Sequence, residues 1–324
     1  MIEVSVIIPV LNEEKYIENC IVSIIKQDYP KKYLEVLFVD GLSTDRTREI
    51  LKKASGRFKW IKVFDNERKI IPCAMNIGIR AAAGTYIVRM DAHTEYRTDY
   101  ISKCIEVIKR TGAENVGGPV IAEGKTRKQR IIAAAYGSPF ALGGGKQYKQ
   151  GYEGYVDTVF LGCYKKDFIV NIGMYDEKMA RNEDDELNYR IIKQGGRIYM
   201  SPEIKTLYYP RSSIVALAKQ YFGYGEGKTK VLYKHGRPAG IRQMIPALFV
   251  CFLMLGGMWA ILSEDTAYGY FSVLLLYILL DLFFSLKNRK LEAISDRLSL
   301  AWVHIVIHIS YGCGYLKGLI VEKF

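Results

Sequence analysis

The sequence predicts an α/β protein on a mostly parallel sheet with helices on both faces, followed by an apolar C-terminal part built for a membrane. Three observations lead there. Short β-branched or aromatic runs alternate with helix-patterned segments over residues 4–91, the order expected of βαβ units. Asn12, Asp40 and Asp91 fall just past the ends of three of those runs, and open α/β sheets bind ligands beyond the carboxyl ends of their strands. Residues 245–316 are dominated by long apolar runs, whereas 1–240 read as a soluble chain.

VSVIIPV (4–10) has no polar alternation, so it predicts a strand buried on both faces and ended by Pro9. Asn12 then opens a helical pattern in which Ile17, Cys20, Ile21, Ile24 and Ile25 share one face. LEVLFVD (34–40) predicts a second buried strand, closed by the polar turn GLSTDRT, with a helix from about Asp45 to Ala54. WIKVFDN (60–66) is a third strand, 72–83 a helix rich in Ala, Ile and Asn, and TYIVRMD (85–91) a fourth strand. Between 112 and 160 the pattern weakens, and GGPVIAEGKTRKQR and SPFALGGGKQYKQGYEG read as a sheet edge and long loops. TVFLGCYKK (158–166) is strand-like again, and NEDDELNYRIIKQGG (182–196) is a helix stopped by a Gly pair.

The tail offers three apolar stretches, 245–262, 267–286 and 298–316, the second carrying Asp281 and the third His304 and His308. The first connecting loop is acidic (Glu264, Asp265) and the next is basic (Lys287, Arg289, Lys290), so the second is expected on the cytosolic side. His304 and His308 share a helix face, which predicts polar packing between spans with Asp281 as a candidate partner. The division expected is a catalytic domain over 1–230 and a membrane part over 231–324. Of the net charge of +12, a large share lies in Lys228, Lys230, Lys234, Arg237 and Arg242 and in the basic loop, which points to a membrane face. No RNA- or DNA-binding signature is present, so nucleic acid is not expected as a partner. Six cysteines lie far apart with no CxxC pairing, the pattern of buried, reduced thiols. MIEVSVIIPVLNEE lacks the basic and long apolar regions of a secretory signal, so the catalytic part is expected in the cytosol.

Two acidic stretches carry the chemistry: Asp91 and His93 in MDAH, and NEDDEL at 182–187. Together with VSVIIPVLNEE, FVDGLSTDRT, the helix around Asn76–Gly78 and FLGCYKKDF, and in that order, they resemble the family 2 inverting glycosyltransferases of GT-A fold. The similarity is greatest to membrane-attached bacterial enzymes of the succinoglycan exopolysaccharide type, and it covers about residues 3–230. No G-x-G-x-x-G follows an early strand, which disfavours a dehydrogenase-type dinucleotide site.

The resemblance implies a nucleotide-sugar donor, UDP-linked by expectation, and a polyprenyl-(di)phosphate-linked glycan acceptor at the membrane lipid surface. A polyprenyl-phosphate glycosyltransferase, or a catalytically dead membrane-anchored assembly partner, are its rivals. By position Pro9, Glu13, Asp40, Asn76 and Asp91 would bind the donor, with Gly41 standing where the family has a second acid. Asp40 can equally cap its own turn. Asp91 and His93 match the ends of the family's D-x-D, and in an extended segment alternate residues face one way, so both could hold a divalent metal, Mn2+ or Mg2+. His93 can instead touch phosphate directly or be an ordinary loop histidine. Glu183 and Asp184 match the family's E-D, with Asp184 as general base for the acceptor hydroxyl, Glu186 at the trailing acidic position, and Asp185 and Asp176 as surface or structural acids. An acidic first helical turn is also ordinary capping. The Q-x-x-R-W of processive members is replaced by Gln220-Tyr221-Phe222-Gly223-Tyr224, which favours transfer of a single residue. The stretch 215–235 mixes aromatics with Lys and suits a helix at the headgroups or a plain collar before the first span. Gly143–Gly145 reads as a hinge, an acceptor-side loop or a solvated connector.

Overall fold

The computed structural model describes residues 1–236 and 240–321, and Arg237 lies outside them. In chain order come β1 (Val4–Val10), α1 (Ile17–Ile25), β2 (Leu34–Asp40), α2 (Thr47–Arg57), β3 (Ile61–Asp65), α3 (Ile71–Ala81), β4 (Tyr86–Arg89), β5 (Glu95–Tyr96), α4 (Tyr100–Thr111), β6 (Asn115–Gly118) and β7 (Ile121–Ala122). Next are α5 (Arg127–Tyr136), α6 (Pro139–Leu142), β8 (Gly154–Tyr155), β9 (Phe160–Lys165), α7 (Lys166–Asn171), α8 (Glu183–Lys193), β10 (Ile198–Met200) and β11 (Thr206–Tyr208). The tail is α9 (Ile214–His235), α10 (Ile245–Cys251), α11 (Gly257–Ala260), α12 (Glu264–Leu286) and α13 (Ile294–Val321). These elements form two compact units, Met1–Ile121 with Lys149–Tyr208, and Ala122–Tyr148 with Tyr209–Phe324. Residue 230, where the sequence suggests a boundary, lies inside α9, and the second unit also takes in 122–148.

The first unit is a GT-A-like α/β fold on an eight-stranded sheet of order β3-β2-β1-β4-β9-β6-β10-β8. β1, β2, β3 and β4 are parallel, while β9 runs antiparallel between β4 and β6. The two-fold period of β1 explains both faces at once. Val4, Val6, Ile8 and Val10 pack with Ile17, Ile24 and Ile101 on one side, and Ile7 packs with Met75 and Ile79 on the other. Each such side chain contributes about 1.5–3 kcal/mol on burial. α3 approaches so closely that a Cβ on Gly78 would lie 2.5 Å from Ile7 Cγ2. Glu35, an acid inside the β2 run, is satisfied by Ser5 Oγ (2.7 Å), the Ala83 amide (2.6 Å) and Lys62 Nζ (2.8 Å).

The sequence places the start of the first helix near Asn12, but Asn12 has φ 55° and α1 begins at Ile17. Asn tolerates this left-handed conformation, which lets the chain turn back over the end of β1 before the helix starts. The 112–160 region also differs from expectation. Thr126 and Gln129 form a reciprocal capping box that starts α5, whose Ile131, Ile132 and Ala133–Ala135 are buried.

In the second unit, α9 lies against α13 at glycine contacts: a Cβ on Gly314 would meet Phe222 O at 1.9 Å and one on Gly318 would meet Thr229 Oγ1 at 2.0 Å. Ile241–Ala260, which contains a π-turn at Phe252–Gly256, Glu264–Leu286 and Ile294–Val321 are each long and apolar enough to cross a membrane. His304 Nδ1 lies 2.6 Å from Asp281 Oδ1, the pairing expected from sequence. His308 instead contacts Tyr277 OH (2.9 Å) and the carbonyl of Phe140 (2.9 Å). All six cysteines are free thiols.

Candidate active site

The site assembles at the carboxyl ends of β1, β2 and β4. The turn after β1 is laced to the turn after β2: Asn12 and Glu13 amides donate to Ser43 Oγ and Thr47 Oγ1, both at 2.8 Å, and Thr44 N donates to Asn12 Oδ1 at 2.8 Å. This fixes the backbone of Glu13, whose Oε1 lies 3.1 Å from His93 Nδ1. Pro9 is half-buried beside Val39 in the parallel register of β1 and β2. Asp40 is fully buried. It accepts from the Ser43 amide and hydroxyl and from Arg48 Nη1 at 2.9 Å, so it shapes its own turn.

Asn76 is set apart from this group. Its amide donates to Tyr175 O (2.8 Å) and Glu177 Oε1 (3.0 Å) and accepts from the Tyr175 amide (2.9 Å). Both of its N–H groups are thereby committed to clamping α3 against 175–177.

β4 ends at Arg89, so Asp91 and His93 do not lie on an extended strand as the sequence argument assumed. The chain turns there, with Thr94 N donating to Asp91 O (3.3 Å) and Asp91 N donating to Tyr96 OH (2.6 Å). The two side chains therefore part: His93 turns to Glu13, and Asp91 Oδ1 faces Arg89 Nε at 3.3 Å. Asp91 is 22% exposed and His93 54%. Among the described residues no group of three or more His, Cys, Asp or Glu is arranged to hold a metal. Asp91 Oδ2 carries no hydrogen bond from the described residues, so one carboxylate oxygen remains to meet a hard cation.

Arg89 was not singled out from the sequence, and it joins the two acidic stretches. Its side chain is only 8% exposed, and it pairs through Nε with Asp91 and through Nη1 with Glu183 Oε1 at 3.1 Å. The available signal was an arginine inside the apolar run TYIVRMD, since a buried charge requires a partner. α8 begins after Asn182, held at φ 57° with Nδ2 on Asp185 Oδ2 (2.8 Å). Asp184 Oδ1 accepts from the Asp185 amide at 2.8 Å. Burial, with the neighbouring Asp185 and Glu183 charges, pushes the Asp184 carboxyl up to about 7. Glu186 has a structural position: fully buried, it takes Arg190 in a fork (2.8 Å from Nε and from Nη2), and Arg190 Nη1 donates to Ile172 O. Asp176 accepts from the Lys178 amide within its own turn. The arrangement thus offers a partly open carboxylate at Asp91 and, beyond the buried Arg89–Glu183 pair, a carboxyl raised to about 7 at Asp184.

A family model described as Glycosyl transferase family 2 matches residues 5–166. The chain is 33% identical to succinoglycan biosynthesis protein ExoA of Rhizobium meliloti over 80% of its own length and 78% of that protein's. It is also 33% identical to the dolichyl N-acetyl-alpha-D-glucosaminyl phosphate 3-beta-D-2,3-diacetamido-2,3-dideoxy-beta-D-glucuronosyltransferase of Methanococcus voltae, over 71% of this chain and 74% of that one. Among solved structures, the mannosyltransferase PcManGT from Pyrobaculum calidifontis, in complex with GDP-Man and Mn2+, is similar in fold with a TM-score of 0.63 at 18% identity, covering 99% of this chain and 88% of the other. On the family match and the extent of these similarities, the chain belongs to glycosyl transferase family 2.

Proposed function

We propose that this glycosyltransferase moves a hexosyl group from a UDP-sugar to a polyprenyl-(di)phosphate-linked glycan, with inversion at the anomeric carbon, at the cytosolic face of a cell membrane. The observation that carries the reading is the ion-pair chain Asp91–Arg89–Glu183, in which Arg89 and Glu183 are buried and Asp91 is partly open, and which links the end of β4 to the start of α8. Glu13 and Asp40 would accept from the nucleoside's N–H and hydroxyl groups, with Pro9 against the base. Asp91, with His93 or without it, would hold Mn2+ or Mg2+, which when bound neutralises charge on the leaving diphosphate. Asp184 would take the proton from the acceptor hydroxyl as its oxygen bonds the anomeric carbon. The bond from that carbon to the diphosphate then breaks, and the electron pair leaves with the nucleotide. Glu183, neutralised by Arg89, would keep Asp184 oriented. Residues 1–208 without 122–148 would make up the catalytic unit, and the remainder the membrane part.

The acceptor class is supported by two relatives, one named for succinoglycan biosynthesis and one for transfer to a dolichyl-phosphate-linked sugar. The UDP assignment draws on Staphylococcus aureus TarS, solved in complex with UDP-GlcNAc, whose fold is similar at a TM-score of 0.51. A panel of UDP-, GDP- and TDP-sugars, offered with Mn2+ and membrane extract and scored for nucleoside diphosphate release, tests the donor. Release from a UDP-sugar that is lost in Asp184→Asn is expected, and turnover of a GDP- or TDP-sugar alone would overturn the donor assignment.

A further inference from the structure

We infer that α13 does not cross the bilayer: the chain enters it with the α10–α12 stretch alone, as a hairpin, and the end of α13 lies on the side from which that hairpin enters. The inference is independent of the transferase chemistry. By length and apolarity α13 qualifies as a span, with mean hydropathy 1.2, and the sequence suggests a third crossing at 298–316. Its contacts place it otherwise. A crossing α13 would begin where α12 ends and finish beside the hairpin tip near Ser263. The beginning fits, because Arg297 Nη1 donates to Leu286 O at 3.0 Å. The end does not. Tyr233 OH donates to Leu319 O at 2.7 Å, and α9 ends two residues later at His235. From His235 to Ile241, where the first apolar stretch starts, there are six peptide steps, at most ~22 Å of chain. Both ends of α13 are therefore tied to the entry end of the hairpin.

The middle of α13 agrees. The hairpin is paired through Phe249 on Tyr277 (ring centroids 4.3 Å) and through Tyr270 OH to Leu253 O (3.4 Å). After meeting Asp281 at His304, α13 brings Gly312 to Pro246, the second residue of α10, where an added Cβ would lie 2.3 Å from the carbonyl oxygen. Eight residues beyond His304, the helix is still at the level where α10 starts.

The charge on α9 supplies an independent argument. The glycine contacts bring α9 and α13 backbone to backbone, so the two occupy one depth. α9 carries Lys219, Glu226, Lys228, Lys230 and Lys234 within 22 residues, and Lys317 of α13 pairs with Glu226 at 2.8 Å. Charged side chains are rare and costly at the depth of the acyl chains, and α9 carries four lysines. α9 stays in the headgroup region and holds α13 there. α10–α12, by contrast, exposes Leu248, Leu255, Met258, Phe271, Leu275 and Leu279, a surface that acyl chains cover.

The test places single cysteines in the full-length chain at Lys52 (catalytic unit), Ser263 (hairpin tip) and Ile320 (end of α13), with Val321→Cys as a repeat of the last. Each is labelled with a membrane-impermeant maleimide in intact bacterial cells and in inverted vesicles, the unsubstituted chain serving as blank. Ile320→Cys and Lys52→Cys labelling only in inverted vesicles, with Ser263→Cys labelling only in intact cells, is the expected result. Labelling of Ile320→Cys in the same preparation as Ser263→Cys and opposite to Lys52→Cys would show that α13 crosses, and all three labelling together would show that the hairpin does not. Either outcome overturns the inference.

Discussion

Asp184→Asn should make the protein more stable and inactive at the same time. The Asp184 carboxyl is raised from 3.8 to about 7, first by burial and then by Asp185 and Glu183. The folded state therefore binds this proton more tightly than the unfolded chain does. The unfavourable contribution sets in as pH rises through the unfolded value and is complete above about 7. A shift of about three units corresponds to at most ~4 kcal/mol, an upper bound because the side chain is only partly covered. Asparagine keeps the shape and removes the charge, so the variant should unfold at higher temperature than the parent at pH 8 and together with it at the acid end. Its transfer rate should fall by about 10²–10⁴. In the parent, donor turnover at saturating substrate should rise about tenfold between pH 6 and pH 8 as the base ionises. The assays are thermal unfolding in detergent across pH and nucleoside diphosphate release. A flat rate profile over that interval, or an asparagine variant that is less stable at pH 8, would refute the assignment.

Three further outcomes follow from the same geometry. Arg89→Leu leaves Glu183 buried without its cation and should cost about 3–5 kcal/mol, with thermal stability partly restored by adding Glu183→Gln; an additive double variant would show that the pair is not coupled. Asp91→Asn should weaken Mn2+ binding in the presence of nucleoside diphosphate, read by calorimetry, by more than His93→Ala does, because His93 is turned to Glu13; equal losses would make His93 a ligand of the same rank. Gly314→Ala places a Cβ 1.9 Å from Phe222 O, so it should part α9 from α13 and lower the monodisperse fraction in detergent; unchanged chromatography would contradict the close packing.

The strands of the first half were legible because burial on both faces leaves an unmistakable mark: β1 and β2 occupy residues 4–10 and 34–40, the very runs named from apolarity alone. Helix starts were less legible. The lattice of Asn12, Ser43 and Thr47 hydrogen bonds delays α1 to Ile17, and these are contacts between residues more than thirty positions apart. α5 was missed although its capping box was written as Thr126 and Gln129, because its first turn is basic and its apolar face meets partners remote in sequence. In the site, the carboxylates were named by type and spacing, but their arrangement in space was not legible. Asp91 and His93 diverge because Tyr96 and Thr94 bend the backbone between them, and Asn76 is drawn away by Tyr175 and Glu177 a hundred positions later. Arg89 needed only the rule that a charge inside a buried strand is never alone.

The detour of residues 122–148 into the unit that carries the three apolar helices bears on how this chain can be cut. A protein whose anchor followed its enzyme in one piece could be truncated at residue 208 and released as a soluble catalyst. Here that truncation keeps α5 and deletes α13, a helix against which α5 packs. A soluble version requires excising 122–148 as well and rejoining Ile121 to Lys149. For the same reason, recombination at a single point cannot exchange one anchor for another, so the two parts of this sequence are bound to change together.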